Sequence, residues 1–278
     1  MKLLLALHGN PGAPSDFDLL RSALGLPSEA QREAEVGPAR CGGRGRGSAS
    51  ALPSRATDEG ASLCFAAFRR PVGGASVADL IEHMGGEVRR LNPARLVLMG
   101  FSWGAYLACR FAERSPVKPD SLILLNPMLA VSSPVSPLMA ALLNTPVLNA
   151  LLAAALARVL PGGFVARVFA PESPEPSLRD QLVKQLSSPT LWLGALRYKL
   201  EQQRHPLGAV QAARCRRAVV LRGAADAVAP WEQQAGLLKD LGPSLTVHTV
   251  EGAGHSLLWT HQDEVCAILG REIEEALR

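Results

Sequence analysis

The sequence is short of the features that mark several protein classes. Its 278 residues include five cysteines, at positions 41, 64, 109, 215 and 266, with no CxxC pair among them. An odd, scattered set argues against a disulfide framework or a zinc site and fits a reducing, cytoplasmic setting. Charged residues make up 19% of the chain. The formal charge of +4 comes mostly from arginines on surface-like stretches, without a long basic block or a nucleic-acid motif. Nucleic acid is therefore not expected as a partner. No stable membrane span is expected either, because Asn144, Pro146, Asn149 and Arg158 interrupt the most apolar region. The opening MKLLLALHG has an apolar stretch of only Leu3 to Leu7 and no small-x-small site after it. A buried strand is expected there rather than a secretory leader.

What is present is apolar and periodic. Hydrophobic residues make up 47% of the chain, enough for a full core. Short apolar runs alternate with helical patterns, which predicts an α/β protein with a mostly parallel sheet flanked by crossover helices. Strands are expected at 2–7, 94–99, 121–125, 218–221 and 245–250, and helices at 15–24, 103–114, 232–241 and 262–277. The strand after the first helix has two candidates. Residues 32–39 are better placed before the glycine-rich turn, and 63–68 have the better strand composition. Residues 27–60, rich in Arg, Gly, Ala and Ser, read as a surface loop. Residues 128–210 are too long for a plain loop and carry apolar helical patterns at 138–143 and 147–160, the polar PESPEPS, and further patterns at 178–186 and 190–203. They are expected to form a helical cap inserted into a core made of 1–127 and 211–278.

Four short stretches carry chemistry. GFSWG, residues 100–104, follows an apolar strand and opens a helical pattern. A strand–GxSxG–helix turn strains the serine backbone and presents Ser102 Oγ at the strand's carboxyl end. The N–H of Trp103, at the helix start, then points at a developing oxyanion. HGNPG, residues 8–12, follows the first strand and supplies a second N–H, that of Asn10, to complete an oxyanion hole. The Asn10 side chain is also a candidate to face the pocket, and the Asn10–Pro11 bond can be cis. RGAADAVAP, residues 222–230, places Asp226 beyond a strand, where a carboxylate can hold a histidine tautomer. The rival position for an acid, after the preceding core strand, holds Asn126. GAGHS, residues 252–256, puts His255 in a small-residue loop after the last strand. His261 is a rival at a helix start, and His83, His205 and His248 read as surface or core residues. Ser102, Asp226 and His255 thus run in the order nucleophile, acid, base, each after a strand.

These four motifs together make the sequence similar to the α/β-hydrolase fold family over nearly its whole length. The resemblance implies an antiparallel-edged, mostly parallel sheet, with a helical cap between the sixth and seventh family strands. Residue 1 falls at the family's third strand, so the usual first hairpin is expected to be missing. HGNP also resembles haloalkane dehalogenases, where the Asn helps bind halide. Those enzymes and the related epoxide hydrolases need an aspartate nucleophile, and Ser102 stands in its place. The expected activity is therefore serine hydrolysis of an ester or thioester of a small, largely apolar acyl substrate, with no metal or organic cofactor. Phe101, Trp192 and Tyr198 are candidates for the pocket wall, and Leu138, Leu142, Leu148, Leu151 and Leu152 for an apolar acyl site. Arginines of the 40–55 loop could meet an anionic group such as a coenzyme A phosphate, against the default of a solvated loop. A triad-based lyase, C–C hydrolase, cyclase or acyltransferase stays open, as do a non-catalytic binding module and the oligomeric state.

Overall fold

Apolar runs become strands. β1 (Lys2–Leu7), β2 (Leu63–Ala67), β3 (Arg95–Phe101), β4 (Ser121–Leu125), β5 (Arg217–Gly223) and β6 (Leu245–Val250) form one sheet in the order β2-β1-β3-β4-β5-β6. The computed structural model describes residues 1–11, 14–23, 63–68, 75–131, 134–208, 215–239 and 245–278. Parallel strands covered on both faces need nearly unbroken apolar sequence, and β4, SLILL, is buried at every position. The register is continuous across the middle of the sheet, with Leu5 opposite Leu98, Leu98 opposite Leu122, and Leu122 opposite Ala218.

Alternate strand residues feed two cores. Leu3, Leu5, Leu98, Leu122 and Val220 point to one face. There they meet α2 (Val77–Leu91) and α3 (Trp103–Arg114) through Leu80, Met84, Tyr106 and Phe111. Leu4, Val97, Met99, Ile123 and Leu221 point to the other face. Leu20 of α1 (Asp18–Ala23), and Leu269 and Ile273 far along the chain, cover them. Helix α2 starts on a reciprocal cap between Ser76 and Asp79 and stops at Asn92, whose left-handed backbone has φ 42°.

The second candidate strand, 63–68, is the one that lies beside β1, pairing Leu63 with Lys2 and Ala67 with Ala6. Residues 32–39 and the 40–55 loop lie outside the described residues. The antiparallel edge implied by the family resemblance is absent among the described residues, where all five strand pairings are parallel. Parallel neighbours need long crossovers, and each connection between them here is long.

Among the described residues, four helices stand between β4 and β5: α4 (Pro137–Leu143), α5 (Pro146–Phe169), α6 (Pro176–Leu186) and α7 (Pro189–Arg204). Each opens with proline, whose missing N–H costs nothing in a first turn. The helical pattern expected at 147–160, which spans Asn149 and Arg158, is part of one longer helix. α5 runs unbroken through them and through Pro161. Its segment Val147–Phe169 is long and apolar enough to cross a membrane by length and composition. Yet Ala153, Ala157, Val165 and Phe169 are buried against the protein, and a side of this helix is therefore committed to packing. The Gln202 amide of α7 donates to the carbonyls of Met128 and Leu129, at 2.9 and 3.0 Å. Tyr106 Oη donates to the His205 carbonyl at 2.8 Å. The first two join the carboxyl end of the four-helix segment to the chain leaving β4, and the third ties it to α3. After β5 come α8 (Trp231–Leu238), then β6, α9 (Leu257–Thr260) and α10 (Gln262–Leu277).

Candidate active site

The site is assembled where the carboxyl ends of β1, β3, β4 and β5 meet. Ser102 joins β3 to α3 with φ 55° and ψ −119°, a region costly for a residue with a side chain. The surrounding bonds hold it there. Its N–H donates to Leu125 O at 2.9 Å, and its carbonyl accepts from Ala105 and Met128 at 3.0 and 3.1 Å. The flanking glycines are required by space. A Cβ at position 100 would stand 2.5 Å from Gly104 O, and one at 104 would stand 2.0 Å from Leu7 O. Real carbon–oxygen contacts begin at about 3.3 Å.

His255 follows β6 and reaches the serine. Its Nε2 lies 2.9 Å from Ser102 Oγ, and its Nδ1 lies 2.7 Å from Asp226 Oδ2. A carboxylate only accepts, so Nδ1 carries the proton and donates to Asp226. Nε2 is then left to accept from the serine hydroxyl. Asp226 is fixed on its other oxygen, where Oδ1 accepts from the Val228 and Ala229 N–H groups at 2.8 and 2.9 Å. Burial pushes the Asp226 carboxyl up, but the His255 hydrogen bond, the His255 charge and the two backbone donors outweigh it. The net result is below the ordinary value of 3.8. Of the three, Ser102 and His255 are almost fully buried, and the Asp226 side chain is 4% exposed.

The loop after β1 runs beside the serine. A Cβ placed on Gly9 would lie 3.3 Å from Ser102 Cβ, and Asn10 and Ser102 line the same cavity. Trp103, whose N–H is the other expected oxyanion donor, is the first residue of α3, directly after Ser102. The Asn10–Pro11 peptide is cis. Asn10 lines the cavity, and one side of its side chain is engaged elsewhere. Its amide donates to Ala195 O of α7 at 3.0 Å and so bridges the loop to the inserted helices.

The cavity above Ser102 measures about 270 Å³. Phe101 lines it, with its ring 5.4 Å from that of His255. Trp192 and Tyr198 are not in its wall. Trp192 stands behind, edge-on to Phe164 at 5.5 Å with its Nε1 donating to Leu186 O, and Tyr198 packs on Trp103 at 4.8 Å. The leucines expected for the acyl site are also elsewhere: Leu138, Leu148 and Leu151 are exposed, and Leu142 and Leu152 do not reach the cavity. The apolar wall comes instead from Met128, Phe164, Val168, Phe169 and Trp259. The rival histidines stand apart. His261 faces Glu172 at 3.7 Å, His248 meets Glu272 at 2.9 Å, His83 packs on Phe68, and His205 ends α7. Among the described residues, no three His, Cys, Asp or Glu side chains gather into a set that could hold a metal ion. Cys64, Cys109, Cys215 and Cys266 are free thiols.

One residue of the site is underused by sequence reasoning. Asn126, read only as a position without an acid, is a buried bracket. Its Nδ2 donates to Gly254 O at 3.0 Å and His255 O at 2.8 Å, and its Oδ1 accepts from Gly223 N at 2.8 Å. It thereby joins the end of β5, just before Asp226, to the loop that carries His255. Its φ of 38° is one asparagine tolerates better than most residues.

A parallel sheet with a strained serine after a central strand, bonded to a histidine after the last, defines an α/β hydrolase. The chain belongs to the alpha/beta hydrolase family, whose model matches residues 4–268. Solved structures agree on the fold. A thermophilic esterase from Thermogutta terrifontis is 18% identical with a TM-score of 0.66, over 100% of this chain and 91% of that one. A monoacylglycerol lipase from Paleococcus ferrophilus is 18% identical with a TM-score of 0.59, over 99% and 94%. An esterase from Exiguobacterium antarcticum is 16% identical with a TM-score of 0.63, over 99% and 92%. No curated protein sequence matches the chain.

Proposed function

We propose that the protein is a serine hydrolase that cleaves an ester or thioester of a small, largely apolar acyl group through an acyl-enzyme. The observation that carries the reading is the bonded series Ser102–His255–Asp226, at 2.9 and 2.7 Å, on the floor of an apolar cavity. His255 Nε2 takes the Ser102 proton as Oγ attacks the carbonyl carbon. The negative charge that develops on the carbonyl oxygen is met by the N–H groups of Asn10 and Trp103. Collapse of the tetrahedral intermediate expels the alcohol or thiol, which receives the proton from His255. Water, deprotonated by the same nitrogen, then attacks the acyl-enzyme and frees the acid. Asp226 stays ionised, holds the tautomer and stabilises the imidazolium. In this reading residues 128–210 are a cap over a core of 1–127 and 211–278, and Phe101 and the inserted helices select the acyl group. Fold relatives among esterases and a monoacylglycerol lipase support the choice of reaction.

The test is covalent labelling followed by turnover. A fluorophosphonate probe should label the wild-type chain and not Ser102→Ala, and the wild type should hydrolyse p-nitrophenyl esters or acyl thioesters. Equal labelling of the two proteins, or labelling without turnover of any acyl chain length, refutes the proposal.

A further inference from the structure

Single exposed apolar side chains are ordinary, and it is their grouping that carries meaning. Among the described residues, the large exposed hydrophobics are Leu138, Val147, Leu148, Leu151, Val159, Leu160 and, elsewhere, Val247. All but the last fall in α4 and α5. The exposed positions of α5 from 147 to 159 are Val, Leu or Ala everywhere except Arg158. A helix that is apolar all round belongs in a core or against lipid. α5 is half in a core, with Ala153 and Ala157 buried, and half bare.

Charge selects what covers the bare half. Residues 137–169 contain two cations, Arg158 and Arg167, both exposed, and no Asp or Glu. A second copy packed here would set like charges against each other without an acid in the segment to receive them. A bilayer with anionic headgroups receives both the arginines and the aliphatic stripe. The other side of α5 continues into the cavity, where Phe164, Val168 and Phe169 form part of the wall. The helix also stays attached at its carboxyl end, where Val168 O accepts from Ser256 N at 3.1 Å. An attached, half-packed helix fits a position in the plane of the interface.

We infer that α4 and the amino-terminal two-thirds of α5 form a surface that docks on a phospholipid bilayer bearing anionic headgroups. If the hydrolase reading also holds, the acyl group comes from a lipid in that bilayer, but the docking does not depend on it. The test uses the full chain with Ser102→Ala, so that no lipid is consumed, and measures co-flotation with phosphatidylcholine vesicles with and without phosphatidylglycerol. Binding should require or be strengthened by phosphatidylglycerol and weaken with salt. Leu151→Asp with Val159→Asp should weaken it about tenfold or more, and Arg158→Glu about fivefold. In the Ser102 background these variants should keep wild-type melting and wild-type turnover of p-nitrophenyl butyrate, which separates loss of docking from loss of the site. Absence of binding to either vesicle overturns the inference, as does equal binding by all variants. So does a dimer in solution that Leu151→Asp converts to monomer, which would mean that a second copy covers the stripe.

Discussion

The tightest geometric statement in the molecule concerns Gly104, and it yields a sharp expectation for Gly104→Ala. The added Cβ would lie 2.0 Å from Leu7 O and 2.8 Å from His8 O. A carbon–oxygen contact needs about 3.3 Å, so the end of β1 must yield by about 1.3 Å. Neither partner is a flexible side-chain tip. One is the first turn of α3, the other a strand paired on both sides. The residues forced to move are those leading into Gly9 and Asn10, the proposed oxyanion donor. A shift of about 1 Å in a catalytic group costs on the order of 10²-fold, and loss of one oxyanion donor about 10²–10³-fold. The expected result is a fall of about 10²–10³ in kcat/KM for a p-nitrophenyl ester, with a loss of about 1–3 kcal/mol in stability from overpacking. Urea unfolding followed by circular dichroism measures the second. Gly236→Ala in α8 is the control, since a Cβ there meets nothing within 4 Å, and it should match or exceed wild-type stability. Wild-type turnover in a folded Gly104→Ala protein would refute the assigned role of the loop.

Two further perturbations probe the acid and the bracket. Asp226→Asn removes the charge that supports the imidazolium and should lower kcat by about 10⁴-fold. The native carboxyl is held below its ordinary value of 3.8, so its stabilising effect is complete above that pH and is lost as pH falls through the native value. The stability gap between wild type and Asp226→Asn, read from urea midpoints, should therefore narrow below pH 3.8; a constant gap contradicts the assignment. Asn126→Ala leaves a buried N–H and two buried carbonyls short of partners and should cost about 2 kcal/mol or more. Asn126→Asp keeps an acceptor for Gly223 N but turns an anion toward the Gly254 and His255 carbonyls. It should lower kcat with little change in KM, whereas a residue that merely fills space would leave kcat unchanged.

The sheet was legible because a parallel strand covered on both faces must be apolar at nearly every position, as SLILL is. GFSWG and GAGHS were legible for a steric reason: backbone passes so close to Gly100, Gly104 and Gly254 that a Cβ does not fit. What failed to show depends on contacts distant in sequence. Asn126 reaches partners 97 and 128 residues away, and nothing local marks it beyond a polar residue ending a strand. Trp192 and Tyr198 are aromatic and near the site, yet composition cannot tell a cavity wall from the layer behind it. The length of α5 was hidden by Pro161 and Arg158. Each ordinarily weakens a helix or a span, and here tertiary packing carries the helix through both.

The two supports of His255 constrain how the inserted helices can behave. From below, Asn126 holds the Gly254 and His255 carbonyls. From above, Ser256 N donates to Val168 O, and Gly254 lies so close to Ala170 that a Cβ would stand 1.9 Å from its carbonyl oxygen. The carboxyl end of α5 is therefore part of the scaffold of the base loop, and displacing it would move His255 away from Ser102. A lid that opened as one body and carried that end with it would break the Ser256–Val168 bond. The exposed leucines and valines lie away from that end, in the amino-terminal part of α5 and in α4. The same division explains why one helix carries both a buried, polar-anchored end and a bare apolar one. The first helps to hold His255 beside Ser102, and the second is the surface inferred to dock.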